Sequence, residues 1–547
     1  MASLQKRKVK GIDYWALVES KRINGKPRPV IIEYFGNTKS FAEKLMNNRP
    51  ENMKLKSYSH GDTYSLMRIA EKLGVENIMD SIFTDQIRNG VKRSRSLLLM
   101  TLQRVCKPSS KNKFNEWFKT TSLPYEMELK SQVLTSQHFW WQMNDITEEE
   151  IMKVEDAINK RILDKYNFGL EKIALDYTNY FSYISSTNER CTIAKRGHNK
   201  QKRNDLRQFS VAVITTKEMG LPLCSHIYEG NINDQTEFYE YIKLLKKRIP
   251  NYDPNTITLV FDGGSNNKKN FNAIETHYIC SFSLSSCKEL YEIDILKYKG
   301  EKVNEEVVKA YRCRQEIWGK ERECILTYSP ALYESQLKEL NENITEIIKK
   351  INELNEKLSN NKSKISKKET SIQERLNKIL KCPHIDKIME TKMNVEDVTV
   401  KSVEYLINET KKDEVANKYF GKKLIITDRV EWSTIEIIQT YRDQDIIEKL
   451  FRSSKDDEHF SIQPQYHYTD QKIRVHIFCC LLGLTLVTIL QKEVFKQGIS
   501  ISKDQLLNRL SEIRQCWVKK KDSNKATYML EEMDDIQSKL WNIVQSI

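Results

Sequence analysis

Two aspartates that each follow a run of apolar residues are the first candidates for chemistry in this sequence. Asp176 follows Lys172-Ile-Ala-Leu and Asp262 follows Thr256-Ile-Thr-Leu-Val-Phe, and both runs are typical of buried strands. If the strands are parallel neighbours, both carboxylates emerge at the sheet edge where open α/β sheets bind ligands. Such a pair could hold Mg²⁺ or Mn²⁺ for phosphodiester cleavage by two ions roughly 3.5–4 Å apart. The alternative is ordinary turn or cap duty for each aspartate.

A polar stripe on a predicted helix is the third candidate. A capping box at 433–436 starts a helix that we expect to continue through Lys455. Tyr441, Glu448 and Lys455 recur every seven residues and Gln444 lies four residues before Glu448, so the four share one face. A solvated face of an amphipathic helix would explain the same pattern.

The stripe also carries a resemblance to a known family. The string Tyr441-Arg-Asp-Gln-Asp-Ile-Ile-Glu-Lys-Leu-Phe-Arg-Ser-Ser-Lys455 resembles the YREK signature of bacterial insertion-sequence DDE transposases. That signature is Tyr, two residues, Arg, three residues, Glu, six residues, Lys, and every spacing is kept here. Gln444 replaces the arginine, which removes a charge but keeps a hydrogen-bond donor. Leu175-Asp-Tyr-Thr and Phe261-Asp-Gly-Gly resemble the strands of the family's two aspartates.

The resemblance implies an activity and a set of ligands. Asp176, Asp262 and Glu448 would be the catalytic residues and would hold two Mg²⁺ or Mn²⁺ ions per active site. The implied reaction is cut-and-paste transposition, with cleavage at insertion-sequence ends and strand transfer into target double-stranded DNA by a homodimer. The residues implied to contact the DNA near the cleaved phosphate are Tyr441, Gln444 and Lys455.

A basic run and one tryptophan complete the candidate DNA contacts. Residues 195–207 carry six Lys or Arg against one Asp, and their place after the first aspartate strand favours phosphate contact over a merely solvated loop. His198 fits a surface or DNA contact better than a metal ligand. Trp318, near the turn of a predicted β-ribbon, could stack on a flipped base or simply pack. The basic candidates are Arg196, Lys200, Lys202, Arg203 and Arg207.

The order of predicted elements indicates the fold class. Three sequential strands come first, and strands that alternate with helices follow them. We expect an α/β fold: a ribonuclease H-like catalytic core with an inserted β-ribbon/long-helix domain and a mainly helical N-terminal domain. The predicted divisions are an N-terminal β-hairpin region (1–60), a helical domain that could bind DNA ends (61–165), the core's first part (166–285), the insertion (286–425), the core's second part (426–495) and a C-terminal helical tail (496–547).

A heptad pattern runs through the predicted insertion. Apolar residues recur every seven positions from Leu337 to Ile379, and a second apolar seam accompanies only the first half. The pattern predicts coiled-coil-like helices over 331–381. An intramolecular helical arm and a dimer zipper both remain open.

Composition limits the partners and the compartment. The 547 residues include 89 Lys and Arg against 75 Asp and Glu, a formal charge of +14 that favours an acidic partner such as nucleic acid. The 11 cysteines include no CxxC pair, which argues against zinc and disulfide frameworks. The apolar run 477–490 is short for a membrane span and suits a buried helix. We therefore expect a cytoplasmic protein without a membrane partner.

Two other functions would use the same features. A ribonuclease H-fold DNA nuclease or resolvase would need the same three carboxylates without strand transfer. A non-catalytic DNA-bridging coiled-coil protein would leave the acids incidental.

Overall fold

The computed structural model describes residues 2–23, 26–47, 53–199, 203–250, 252–303, 306–360, 363–455, 459–463, 465–520 and 526–547. The chain divides into two compact units. The first contains Met1–Asn77, Asp85–Met143 and Leu486–Ile547, and the second contains Ile78–Thr84 and Asn144–Thr485. Each of the candidate catalytic residues lies in the second unit.

The strands of the described residues are numbered in chain order. They are β1 (Ala2–Val9), β2 (Ile12–Ile23), β3 (Lys26–Asn37), β4 (Met53–Ser59), β5 (Ile87–Arg88), β6 (Val91–Lys92), β7 (Lys172–Ser182), β8 (Arg207–Thr216), β9 (Pro222–Glu229), β10 (Thr258–Phe261), β11 (His277–Phe282), β12 (Lys299–Val303), β13 (Glu306–Ile317), β14 (Lys320–Tyr328), β15 (Met389–Glu396), β16 (Thr399–Ile407), β17 (Lys422–Thr427), β18 (Arg514–Lys520) and β19 (Ala526–Leu530).

The helices are numbered in the same way. They are α1 (Thr38–Asn47), α2 (Gly61–Leu73), α3 (Val75–Ile82), α4 (Arg93–Cys106), α5 (Phe114–Phe118), α6 (Leu123–Glu126), α7 (Ser136–Gln142), α8 (Glu148–Lys165), α9 (Asp234–Arg248), α10 (Lys268–Ala273), α11 (Pro330–Ser359), α12 (Glu369–Ile379), α13 (Ile385–Ile388), α14 (Glu409–Tyr419), α15 (Thr434–Arg442), α16 (Asp445–Ser453), α17 (Asp470–Lys496), α18 (Lys503–Ser511) and α19 (Asp535–Ser546).

The first unit differs from the predicted pattern at both of its ends. The N-terminal hairpin is part of a three-stranded sheet, β1-β2-β3, whose β2–β3 turn at Asn24 and Gly25 lies outside the described residues. The tail, predicted to be helical, contributes β18 and β19, and β18 pairs with β4. The pairing partner lies more than 400 residues away in the sequence, so no local pattern could reveal it.

A nine-stranded sheet forms the centre of the second unit, in the order β12-β13-β14-β17-β11-β10-β7-β8-β9. β7, β8 and β9 are antiparallel neighbours, whereas β10 runs parallel to both β7 and β11. The remaining pairs, from β11 through β17 and β14 to β12, are antiparallel. The parallel run places β7 and β10 side by side, as the two candidate aspartates require.

Helix α15 covers one face of this sheet. It buries Ile437, Ile438 and Tyr441 against apolar residues from β10, β11, β14 and β17. Full burial of one such aliphatic side chain contributes roughly 1.5–3 kcal/mol, so this face fixes the helix firmly. The helix begins where predicted, because Ser433 Oγ accepts a hydrogen bond from the Glu436 N–H at 3.1 Å.

Residues 286–425, predicted to form a separate insertion domain, contribute four strands to the central sheet. Strands β12, β13 and β14 and strand β17 continue the central sheet instead of forming a separate ribbon domain. Their alternating sequence predicts strands correctly, but it carries no information about the strand with which each one pairs. Within the described residues, the segment between β14 and β17 forms no pair with the central sheet.

That segment, residues 330–419, is a helical arm with its own core. The heptad residues of α11 and α12 are buried together with β15, β16 and α14, and every buried member of this cluster lies between Leu340 and Phe420. The apolar heptad residues are therefore covered by other parts of the same chain, as expected for an intramolecular arm. The two ends of the arm meet, because Tyr328 pairs with Lys422 across β14 and β17.

One helix of the described residues, α17, is long and apolar enough to cross a membrane. Its most apolar 18-residue window has a mean hydropathy of 2.2, and 94% of that window is buried inside the protein. This burial agrees with the core helix predicted from the apolar run 477–490.

Candidate active site

Asp176 and Asp262 lie next to each other at the centre of the sheet. β7 and β10 pair in parallel with Leu175 opposite Phe261, so each aspartate follows a member of one pair. β10 ends there, as predicted. β7 does not: it continues to Ser182 because β8 pairs with it as far as Arg207. Asp176 is therefore a mid-strand residue, half-buried beside the point where β10 stops.

Both aspartates line one cavity of about 380 Å³. Asp234, at the first turn of α9, lines it as a third carboxylate and accepts a hydrogen bond from Tyr228 Oη at 2.6 Å. Lys455 is the basic residue of the lining. The cavity thus combines carboxylate oxygens with one ammonium group, a set that suits a hard cation beside a phosphate.

Hydrogen bonds hold the Asp262 carboxylate in its charged form. Ser281 Oγ donates to Asp262 Oδ1 at 2.6 Å and Tyr441 Oη donates to the same oxygen at 3.3 Å. Desolvation raises the pKa of Asp262, but Ser281, the Gly263 N–H, Lys423 and Tyr441 together lower that pKa below its usual value. A negatively charged Asp262 is the form that a metal ion requires.

Gly263 permits this arrangement by close approach. Its N–H donates to Ser281 Oγ at 2.9 Å, and a Cβ at this position would stand 3.1 Å from Ser281 Oγ and 3.2 Å from Ser281 O. Both distances are shorter than ordinary van der Waals contact. A side chain at position 263 would therefore push the turn after Asp262 away from β11.

Glu448 is near the aspartates in the fold but does not line the cavity. It lies on α16, which packs on β7, the strand of Asp176. Ile447 and Phe451 of that helix are buried, whereas Glu448 is exposed. Ser454, after the end of α16, is fixed to the same strand by a 2.6 Å hydrogen bond with Tyr180 Oη.

The predicted continuous helix is broken inside the signature. α15 ends at Arg442 and α16 begins at Asp445, and the turn between them is closed by i→i+3 bonds such as Gln444 N to Tyr441 O at 3.2 Å. Asp443, the first residue after α15, accepts a hydrogen bond from Gln439 Nε2 at 2.8 Å and pairs with Lys217. The expectation of one unbroken stripe was therefore wrong.

The four stripe residues have different environments. Tyr441 is 8% exposed and Gln444 is 5% exposed, so neither presents an open surface to a duplex. Lys455 lies beyond the end of α16, with its Nζ 5.6 Å from the Tyr180 ring centre at the cavity. The DNA contacts expected of Tyr441 and Gln444 disagree with this burial, whereas Lys455 borders the aspartates as expected.

The basic run 195–207 borders the same cavity through Asn199. Arg196 is exposed, whereas Arg203 pairs with Asp205 at 2.8 Å. Arg207 donates to the backbone oxygens of Asn188 at 2.8 Å and Ser186 at 2.6 Å, which is a structural role. Lys200 and Lys202 lie outside the described residues.

Trp318 packs inside the protein. With Gly319 it forms the two-residue turn between β13 and β14, at φ values of 54° and 80° that are typical of a type I′ hairpin turn. Its ring lies 5.0 Å from that of Phe271 and 5.3 Å from that of Phe282. The packing role therefore fits Trp318 better than the base-stacking role.

The donor set fits a divalent metal in part. Asp176 and Asp262 offer carboxylate oxygens at one cavity, and Glu448 lies on a helix that packs beside Asp176. Within the described ranges, no three Asp, Glu, His or Cys side chains converge in a geometry that would hold a metal ion. The two aspartates are the pair that the structure brings together.

Sequence reasoning missed Ser281, Lys423 and Asp234. Ser281 and Lys423 lie on β11 and β17, and their approach to Asp262 depends on strand pairing that the sequence does not display. Asp234 had a local signal of its position only: it is an acidic residue in the first turn of α9, after the Asn233 cap.

Comparisons with known proteins return little similarity. No family model matches the sequence. No curated protein matches it either. Among solved structures, a piggyBac transposase synaptic complex with hairpin DNA aligns with a TM-score of 0.39 and 9% identity, covering 82% of this chain and 78% of that chain. At that level of similarity neither the family nor the function of this chain follows from the comparison.

Proposed function

We propose that this chain is a metal-dependent DNA transposase that cleaves insertion-sequence ends and joins them to target DNA. The observation that carries the proposal is the meeting of Asp176 and Asp262 on adjacent parallel strands at one cavity with Lys455. Asp176, Asp262 and Lys455 are far apart in the chain, and the fold brings them to this one cavity.

The arrangement of the strands supports a ribonuclease H-like core. β7, β8 and β9 are sequential antiparallel strands, and β10 and β11 then follow in parallel with helices between strands. This is the order predicted from the sequence. Asp176 lies on β7 and Asp262 directly follows β10, and these two strands are parallel neighbours.

Each side chain has a stated role in the proposed reaction. Asp176, Asp262 and Glu448 would hold two Mg²⁺ or Mn²⁺ ions, which when bound activate the attacking oxygen and neutralise the scissile phosphate. Lys455 would pair with a backbone phosphate beside the cavity, and Arg196 would extend the basic surface. The proposed enzyme acts as a homodimer on DNA in the cytoplasm.

The test uses the full-length protein with a supercoiled plasmid that carries the DNA flanking its gene. Mn²⁺-dependent nicking should occur with the wild type and disappear in Asp176→Asn and Asp262→Asn. Glu240→Gln, an exposed acid on α9 away from the cavity lining, is the matched control and should nick normally. If Asp176→Asn and Asp262→Asn both nicked the plasmid at the wild-type rate, the proposal would be refuted.

A second assay separates transposition from simple hydrolysis. The protein is given pre-cut flanking DNA with a free 3′-hydroxyl together with a target plasmid. A transposase produces a covalent end–plasmid product because the 3′-hydroxyl attacks, whereas a nuclease or resolvase produces only nicked plasmid. A DNA-bridging coiled coil produces neither, and the arm seam buried within one chain already argues against that function.

A further inference from the structure

Two hydroxyl groups meet at a single oxygen of Asp262. Ser281 Oγ lies 2.6 Å from Asp262 Oδ1, and Tyr441 Oη lies 3.3 Å from the same atom. Ser281 belongs to β11 and Tyr441 to α15. The carboxylate is therefore held by a strand and a helix that approach it from different parts of the chain.

The direction of the Ser281 hydrogen bond is fixed by its other partner. The Gly263 N–H donates to Ser281 Oγ at 2.9 Å, so the serine oxygen is already an acceptor there. A hydroxyl has one proton, and that proton is left for Asp262. Asn266 Nδ2 also donates to Ser281 O at 2.7 Å, which fastens the turn after Asp262 to β11.

The Tyr441 side chain also contacts only other parts of the protein in the described residues. Its side chain is buried in the apolar cluster under α15, and its ring is covered by Lys423 Nζ at 4.6 Å from the ring centre. The carboxylate oxygen of Asp262 can only accept, so the phenol hydroxyl is the donor of this hydrogen bond. The donor reaches Asp262 rather than solvent.

We propose that Ser281 and Tyr441 are positioning residues for Asp262. They hold Oδ1, and they leave Oδ2, which accepts no side-chain hydroxyl in the described part of the chain, to contact the metal ion. The inference rests on the proposed function, since it assigns Asp262 as a metal ligand. It replaces the expected DNA contact of Tyr441 with a role inside the protein.

Hydrogen bonds that orient a ligating carboxylate have a measurable effect. Their loss typically lowers metal affinity or activity by roughly 10–100-fold. The effect arises because an unrestrained carboxylate must lose rotational freedom when the metal binds. It should therefore appear in the metal concentration required and diminish when metal is saturating.

The experiment measures Mn²⁺ in two ways on the full chain. Calorimetry without DNA gives Mn²⁺ affinity, and plasmid nicking across a Mn²⁺ series gives the concentration for half-maximal rate. Ser281→Ala and Tyr441→Phe should each weaken Mn²⁺ roughly 10-fold or more in both assays, with most of the maximal rate recovered at saturating Mn²⁺. Ser281→Thr, which keeps the hydroxyl, should restore wild-type affinity.

Controls and contrary outcomes separate this inference from the proposed function. Ser283→Ala is the matched control, because Ser283 is exposed on the same segment and bonds to Ser285 at 2.6 Å instead of Asp262. If both test variants bind Mn²⁺ like wild type while Asp262→Asn loses affinity, the positioning role is wrong and the metal site stands. If Asp262→Asn also binds and nicks like wild type, the proposed function itself is wrong.

Discussion

A substitution of Glu448 should affect catalysis without affecting the stability of the fold. The side chain is exposed on α16, and no ion pair or hydrogen bond from it occurs in the described part of the chain. Glu448→Gln should therefore leave the free energy of unfolding within about 0.5 kcal/mol of wild type. The same change should lower metal-dependent nicking by at least about 100-fold, the effect of removing one charge-stabilising group from an active site. Urea unfolding and initial nicking rates test the two halves.

A neighbour on the same helix provides the control. Asp445 is also exposed and pairs with Lys449 at 2.8 Å, so Asp445→Asn removes an acid from α16 without touching the proposed site. It should nick like wild type. Normal nicking by Glu448→Gln would instead leave only the two aspartates as candidate ligands.

Lys455 tests the contact with DNA. A lysine that pairs with a phosphate acts through counterion release, so Lys455→Ala should weaken binding to all DNA sequences alike. The slope of log affinity against log salt should flatten by about one unit. Lys449→Ala, on the exposed side of α16, is the matched control with an unchanged slope. A wild-type slope for Lys455→Ala would mean that this lysine faces protein.

Gln444 tests the departure from the family signature. Because Gln444 is 5% exposed, Gln444→Arg would place a guanidinium where little water can reach it. The variant should lose roughly 1–3 kcal/mol of stability, the range in which single changes of this kind fall. Gln373→Arg, at an exposed position of α12, should be neutral in the same denaturation assay. If Gln444→Arg kept wild-type stability and bound DNA more tightly, position 444 would be a DNA contact after all.

At the scale of elements, the sequence predicted what forms locally and missed what depends on distant partners. The Ser433 cap, strand β10 up to Asp262 and the buried α17 were all predictable, because capping, alternation and an apolar run are local signals. The short turn at Asp443 and Gln444 was not, since no glycine or proline marks it in the sequence. Asp176 and Asp262 were found as a pair, whereas Ser281 and Tyr441, which hold Asp262, lie on a strand and a helix that only the fold brings to it.

The arm gives a prediction about elements. The Ser329 N–H donates to Gly421 O at 2.9 Å, so the chain enters and leaves the arm across one antiparallel pair. Replacing 330–420 with Asn-Gly should convert β14 and β17 into an ordinary hairpin, since that dipeptide favours the turn that joins such strands. The shortened protein should fold and unfold cooperatively in urea.

The control for this deletion also removes β14. Replacing 320–420 takes out a strand that lies between β13 and β17, so two further strands lose their partner. That variant should show no cooperative transition. Loss of cooperativity in the arm deletion as well would mean that the sheet depends on the arm core.

At the scale of the whole molecule, a buried histidine in the first unit should set the response of stability to acid. His138 is fully buried, and burial first, then the charge of Arg88, lowers its pKa to about 4. An unfolded histidine binds a proton near pH 6.5, whereas the folded one resists until about pH 4. Stability should therefore be complete above pH 6.5 and fall by up to about 3 kcal/mol as the pH drops to 4.

Unfolding free energies of wild type and His138→Gln from pH 7 to pH 4 provide the measurement. The variant should lose much less stability over this range, because the titrating group is gone, even if its stability at pH 7 is lower. His198→Gln, at an exposed position, should follow the wild-type curve. Parallel curves for wild type and His138→Gln would assign the acid sensitivity to other groups.

The meeting of the arm's two ends has a consequence for the order of folding. Pairing β14 with β17 closes a loop as long as the whole arm, and that closure costs entropy before any strand contact repays it. Contacts within the arm, such as that of Asn355 with Val403, join residues closer in sequence than the two ends of the arm, so each closes a shorter loop. A folded arm brings residues 329 and 421 to hydrogen-bonding distance, so β17 reaches its place beside β11 by a short search instead of a long one. The arm should therefore favour early pairing of β17 with β11, the strand that lies beside β10, although no residue of the arm lines the cavity at Asp176 and Asp262.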